Sequence, residues 1–226
     1  MNKIIEIIDI CKNYKDGERQ KRVLSGVNLI LDKPEIVAIV GPSGCGKSTL
    51  TNILGLLLEP TSGKGKIDGQ DVSTFNDRKK SQLRNKTFGY ITQDFALIEG
   101  QSVFENMRIP LMFSNNKVSK REQRKISKQF LKKLDLEELE NKKVSKLSGG
   151  ERQRVAILRS IINNPKVIIA DEPTGSLDSE NAEIVFSILK DLVTQSKIVV
   201  LVTHNMEMAY RCDRIFTLVD GSLTQK

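Results

Sequence analysis

Gly41-Pro42-Ser43-Gly44-Cys45-Gly46-Lys47-Ser48-Thr49 decides how this chain reads. It fits the pattern G-x-x-x-x-G-K-[ST], and its flanks supply the strand-to-helix context the pattern requires. Just before it, Ile36-Val37-Ala38-Ile39-Val40 is a short apolar run rich in β-branched residues, read as a buried strand. Just after it, Leu50, Ile53, Leu54, Leu57 and Leu58 recur at helical spacing. Gly41, Gly44 and Gly46 leave out the Cβ atoms that would keep the backbone from wrapping a phosphate chain. Successive N–H groups then converge on the anion, and the following helix presents its positive end there. Lys47 adds a mobile cation for the β- and γ-phosphates, and the Ser48 hydroxyl can ligate Mg²⁺. These residues read as a nucleoside triphosphate site.

Outward from this loop, strands and helices alternate. Residues 3–9 and about 23–31 read as strands with a turn at Asp16-Gly17, and Gly65-Lys66-Ile67-Asp68-Gly69 as an edge piece. Together they suggest a small antiparallel sheet beside a parallel one. A basic helix leads into Phe88-Gly89-Tyr90-Ile91-Thr92, another strand. The segment 117–134, with eight Lys or Arg against one acid, reads as a helical insert with a solvated basic face. Ser148-Gly149-Gly150 opens a helix through Ile162 that Pro165 stops. Val167–Ala170, Ile198–Val202 and Ile215–Val219 are further strands, the last ending at an Asp220-Gly221 turn. Ile184, Val185, Ile188, Leu189 and Leu192 form the inner stripe of a helix for which Asp178 or Ser179 is the N-cap. The sum is an α/β layered fold with a mainly parallel sheet.

Length and composition agree. The 226 residues suffice for one good core, or a core with a smaller lobe, and 38% hydrophobic with 28% charged residues is the composition of a soluble globular protein. No apolar run approaches the roughly 20 residues that span a bilayer, and the N-terminal Met1–Glu6 segment does not read as a signal peptide. Cys11, Cys45 and Cys212 give neither a disulfide framework nor metal spacing, so free thiols in a reducing cytosol are expected. The net charge of +8 fits nucleic acid, an anionic membrane or simply a lysine-rich genome, and alone it decides nothing.

Three further constellations carry chemistry. Asp171-Glu172 ends an apolar strand, where open α/β sheets bind ligands. An aspartate there can hold Mg²⁺ opposite Ser48, and the adjacent glutamate can polarise a water for attack on the γ-phosphate. His204, the only histidine, ends a second apolar strand, so it is either a structural residue or a hydrogen-bond partner of the γ-phosphate. Leu147-Ser148-Gly149-Gly150-Glu151-Arg152-Gln153-Arg154 places Ser-Gly-Gly at a helix start, a second anion cradle. One nucleotide hardly needs two cradles from one chain, so the second is expected to serve a nucleotide held by another copy.

With those motifs in this order, the chain resembles the ATP-binding cassette (ABC) ATPases over nearly its whole length. The resemblance rests on residues 41–49, the signature at 147–151, Asp171-Glu172, Gln93 after an aromatic-rich strand, Ser176-Leu177-Asp178 and His204. Arg84–Tyr90, Phe104-Glu105-Asn106 and Ala170–Gly175 are similar to the lipoprotein-release, macrolide-export and antimicrobial-peptide-export branch. Glu99-Gly100 departs from a common proline, and Leu158 and Ser160 replace usual alanines, which weakens any guess at a substrate.

The resemblance implies the P-loop NTPase fold of these ATPases: a mixed, mainly parallel core sheet, a small antiparallel β-subdomain and an inserted α-helical subdomain, in one domain over 1–226. The core and β-subdomain would take about 1–93 and 161–226, and the helical subdomain about 94–160. It also implies ATP and Mg²⁺ as ligands. Tyr14 would stack on adenine, and Gly41 to Thr49 would hold the phosphates. Ser48, Gln93 and Asp171 would lie at the metal, Glu172, His204 and Lys47 would carry catalysis, and Gln93 would report the γ-phosphate. Ser148, Gly149, Gly150 and Glu151 would touch the partner's ATP, beside Asp178 of the D-loop. The partners implied are a second copy, forming a homodimer, and an integral-membrane permease at the cytoplasmic face of the membrane, with no nucleic acid. An ABC-type ATPase acting on nucleic acid or ribosomes, or a nucleotide-sensing scaffold, are the alternatives.

Overall fold

The computed structural model describes residues 3–17, 19–114 and 118–226. Lys117, counted in the basic run, and the N-terminal Met1-Asn2 lie outside them. The strands are β1 (Ile5–Asp16), β2 (Arg19–Leu31), β3 (Ile36–Val40), β4 (Ser62–Ile67), β5 (Gln70–Asp71), β6 (Phe88–Ile91), β7 (Val167–Asp171), β8 (Ile198–Val202), β9 (Arg214–Val219) and β10 (Ser222–Gln225). The helices are α1 (Lys47–Leu54), α2 (Asp77–Thr87), α3 (Val103–Met112), α4 (Lys120–Lys132), α5 (Gly149–Ile161), α6 (Ser179–Thr194) and the short α7 (Met206–Ala209).

The core sheet has the order β10-β9-β3-β8-β7-β6. Strands β9, β3, β8, β7 and β6 are parallel, and β10 closes the edge antiparallel to β9. The continuous apolar runs of β3 and β8 are buried along their whole length, as a sheet covered on both faces demands. Successive residues alternate between its two faces. Ile168, Ala170, Val199 and Leu201 join the apolar cluster that includes residues of α3, α5 and α6. Val167, Ile169, Val200 and Val202 join the one shared with α1 and the antiparallel sheet. Each fully buried Val, Leu or Ile side chain among them contributes about 1.5–3 kcal/mol.

The register lines up the carboxyl ends of the central strands. Ile39 lies opposite Val202 and Val202 opposite Asp171. The loops leaving β3, β7 and β8 therefore emerge side by side, where open parallel sheets hold their ligands.

A second sheet, β2-β1-β4-β5, is antiparallel throughout. Its first two strands outrun the expected 3–9 and 23–31. Much of the extra length, Asn13 to Lys15 against Gln20 to Arg22, is held by ladder pairing rather than burial, so no apolar alternation marks it.

Two local expectations are corrected, and the last turn is followed by one more strand. Helix α1 stops at Leu54, Leu56 takes φ 60°, and Leu57 sits beyond the helix, 55% exposed, instead of extending its stripe. On α6 the buried stripe is Ala182, Val185, Phe186, Leu189 and Leu192, while Ile184 is exposed. The chain also continues past the Asp220-Gly221 turn, whose φ angles of 47° and 76° suit a two-residue hairpin that folds β10 back on β9.

The basic helix α4 is an ion-paired surface. Lys120 pairs with Glu105, Lys125 with Glu122, and Arg124 and Lys128 with Glu140. Among the described residues, no helix is long and apolar enough to cross a membrane.

Candidate active site

Gly46 caps α1 with φ 107°, in the left-handed region, and a Cβ there would lie 2.9 Å from Val23 Cγ1. Only glycine fits both constraints. No side chain caps this helix, so its first N–H groups face the loop unclaimed by a local acceptor. Lys47 folds back, its Nζ donating to the carbonyls of Gly41 (2.8 Å) and Pro42 (2.9 Å). This holds the cation at the loop's mouth.

Ser48 and Asp171 meet across the site, the Ser48 hydroxyl donating to Asp171 Oδ2 at 3.2 Å. Burial pushes the Asp171 carboxyl above its ordinary range and the charge of Glu172 adds to that, while the Ser48 hydrogen bond and Lys47 oppose it. Glu172 has φ 48°, uncommon for a residue with a Cβ, and its N–H donates to Val202 O at 2.9 Å. This twist turns the side chain toward β8. There Glu172 Oε1 accepts the His204 backbone N–H (3.0 Å) and lies 2.8 Å from His204 Nδ1, while Thr203 Oγ1 donates to Oε2 at 3.4 Å. Glu172 is mostly covered and His204 mostly exposed.

These groups wall one open cavity of about 550 Å³, with Ser43, Lys47 and Thr49 on one side and Gln93, Glu172 and His204 on the other. The volume is of the size that small-molecule ligands occupy. Gly41 and Pro42 border an adjoining cleft with His204. Tyr14, half-exposed, is not among the described residues that wall the cavity but stands next to it, its hydroxyl 3.4 Å from Thr49 Oγ1 at the rim. The Cys45 N–H donates to Pro42 O, closing the loop's turn.

Ser148, Gly149, Gly150, Glu151 and Asp178 are not among the described residues that wall this cavity. Ser148 and Glu151 instead form a capping box at the start of α5. The Ser148 N–H donates to Glu151 Oε2 at 2.7 Å, and the Glu151 N–H donates to Ser148 Oγ at 3.3 Å. The Ser148 N–H holds the Glu151 carboxyl below its usual range. The second cradle is thus less free than a bare helix start, because two N–H groups and one hydroxyl acceptor site are already used. A Cβ on Gly150 would lie 2.3 Å from Asn181 Oδ1, and Asn181 is held by Asp178, the N-cap of α6.

Motif reading left two contacts without a role. Val23 packs on Gly46 and lines the cavity from the antiparallel sheet. Gln153, fully buried, donates from Nε2 to Pro173 O at 2.6 Å, tying α5 to the residue after Glu172. The signal for Gln153 was a polar residue on the inner face of an amphipathic helix.

A family model described as ABC transporter matches residues 24–175. The macrolide export ATP-binding/permease protein MacB of Brucella melitensis is 40% identical over 97% of this chain, and this chain covers 34% of that protein. It therefore spans about a third of the length of these macrolide-export relatives. The uncharacterized ABC transporter ATP-binding protein YvrO of Bacillus subtilis is 37% identical, with 97% of this chain and 95% of that protein covered. Among solved structures, dimeric MJ0796, a bacterial ABC transporter cassette, superposes with a TM-score of 0.90 at 40% identity, over 98% of this chain and 97% of that one. Its post-hydrolysis state bound to ADP and Pi gives the same TM-score at 39% identity, with the same coverage. The chain belongs to the ABC transporter family and has the fold of that family's ATP-binding cassettes.

Proposed function

We propose that this chain binds and hydrolyses ATP as the energy-coupling subunit of a transporter, two copies closing head to tail around two MgATP. The observation that carries the reading is the split site. The cavity gathers the phosphate loop, Asp171, Glu172 and His204, while the Ser148-Gly149-Gly150 cradle starts a helix elsewhere on the same chain. A second copy that brings its cradle over the first copy's phosphates completes the site, and ATP then stabilises the pair by mass action.

Mg²⁺ fits the residues present. Ser48 Oγ and Asp171 Oδ2 are hard oxygen donors, and a cation would offset the cost of burying Asp171. With Gln93 beside them, these residues would hold it. Bound there, Mg²⁺ would neutralise charge on the β- and γ-phosphates. Lys47 and the α1 N–H groups orient the same phosphates. Glu172 takes a proton from the attacking water. His204 is fixed by its Nδ1 contact with Glu172, which leaves Nε2 to face the γ-phosphate. Loss of the shared γ-phosphate releases the pair. The helical segment 94–160 faces the permease, and Gln93, at its start, reports the state of the site.

The macrolide-export relatives favour export of antibiotic-like substrates, and the motifs similar to the lipoprotein-release and antimicrobial-peptide-export branch favour export or extraction of peptides or lipoproteins, through a permease that holds the chain at the cytoplasmic face of the membrane. The test is phosphate release from ATP with and without Mg²⁺, set beside Glu172→Gln. That variant should keep ATP binding, lose about 10²–10⁴-fold in turnover, and sediment as a dimer with ATP. Full turnover in Glu172→Gln would remove Glu172 from its role.

A further inference from the structure

The far end of α1 closes a second cavity that the nucleotide chemistry does not use. It measures about 200 Å³ and lies between α1 and the antiparallel sheet. Its walls include Ile5, Ile7, Ile53, Leu54, Ile67 and Val72, all buried apolar side chains. A cavity of about 150 Å³ lined by such side chains already accepts a benzene-sized molecule. At roughly 30 Å³ per water-sized group, its volume holds about six or seven methylenes.

The mouth has a charge. Lys66 and Lys80 line it together with Glu59. Lys80 is largely covered and pairs with Glu59, whose side chain is 73% exposed and so readily replaced. Lys12 reaches in to donate to the Glu59 carbonyl at 2.7 Å, and Lys66 stands 3.6 Å from Glu6 on the sheet. Three lysines thus surround two carboxylates, and Glu6 is also engaged by Lys3. A pocket with apolar walls and a cationic rim is complementary to an amphiphile with an anionic head.

We propose that this cavity binds a free aliphatic monocarboxylate of about eight carbons, its chain among the isoleucines and its head on Lys80 in place of Glu59. The site is independent of the nucleotide reading, since Ile53 and Leu54 lie at the opposite end of α1 from Lys47.

The test is a methyl-resolved NMR titration of the full chain with octanoate, octan-1-ol and acetate. Octanoate should shift the methyls of Ile5, Ile7, Ile53 and Ile67 with a Kd below about 1 mM. Octan-1-ol should bind at least about threefold more weakly, and acetate should shift none of these methyls. Ile7→Phe, which fills the cavity, should abolish octanoate binding. Lys80→Gln, at the rim, should weaken octanoate about three- to tenfold, the range of one charge-assisted contact partly screened at an open mouth, and leave octan-1-ol unchanged. It keeps the test decisive if Ile7→Phe does not fold. Absence of these methyl shifts at about 5 mM octanoate, equal binding of octan-1-ol, or octanoate affinity unchanged in either variant would overturn the proposal.

Discussion

Two helix starts in this molecule carry the sequence pattern of an anion cradle, and they are built differently. At α1 the cap is Gly46, in the left-handed region with no side-chain acceptor, and the helix opens into a cavity walled by Lys47, Asp171 and Glu172. At α5 the cap is Ser148, locked in a reciprocal box with Glu151, and it lies outside that cavity. The first start leaves its N–H groups to a ligand's acceptors. The second has its shape set in advance by its own side chains. A pre-shaped cradle suits a group that must meet a ligand already held by another molecule, because little ordering remains to oppose docking.

The largest expected contrast lies between Lys47→Ala and Ser148→Ala. Removing the Lys47 ammonium deletes a charge-assisted contact of about 1.5–3 kcal/mol, so ATP affinity measured by calorimetry on dilute, monomeric protein should fall roughly 10- to 150-fold. Ser148→Ala should leave that affinity within about twofold, while costing about 1 kcal/mol of stability through the lost cap. Equal losses of ATP affinity in the two variants would mean that the two starts serve one nucleotide in one chain.

Asp171 gives a pH signature at the first start. Its carboxyl is raised in the folded chain, so the native state binds its proton more tightly than the unfolded state does. The contribution to stability is then full below the ordinary value of 3.8 and is lost as pH rises through the folded pKa. Without nucleotide, Asp171→Asn should be more stable than the parent protein above that range and should narrow the gap as pH falls. Denaturant titrations at several pH values read the difference, and a gap independent of pH would contradict it. The same variant should lose Mg²⁺-dependent nucleotide affinity.

The smallest effect belongs to the rim. Tyr14→Ala should weaken ATP by less than about tenfold, the range of one aromatic contact, and should weaken a triphosphate without a base not at all.

Both helix starts were legible in the sequence because each is a local pattern: glycine spacing and a lysine at one, Ser-Gly-Gly-Glu at the other. The strand ends were legible too, since Asp171 directly follows an apolar run and only Thr203 separates His204 from another. The Glu172–His204 contact was not, because it depends on the pairing of β7 with β8 and on the backbone twist at Glu172. Nor was the Gln153–Pro173 bond, which joins residues 20 apart on different elements. Ile184 and Leu57 misled because helical spacing states which residues share a face but not where a helix ends or which side meets the core. The hairpin to β10 was hidden by its polar strand, Ser222 to Gln225, held by backbone pairing with β9.

The split site is tested most directly by mixing two inactive variants. Lys47→Ala lacks a working phosphate loop and Ser148→Arg lacks a working cradle, so each alone should hydrolyse almost no ATP. In a mixed pair, the intact loop of the Ser148→Arg chain meets the intact cradle of the Lys47→Ala chain, and phosphate release should reappear on mixing. A mixture as inactive as its components, with mixed pairs shown to form, would contradict a site shared between two copies.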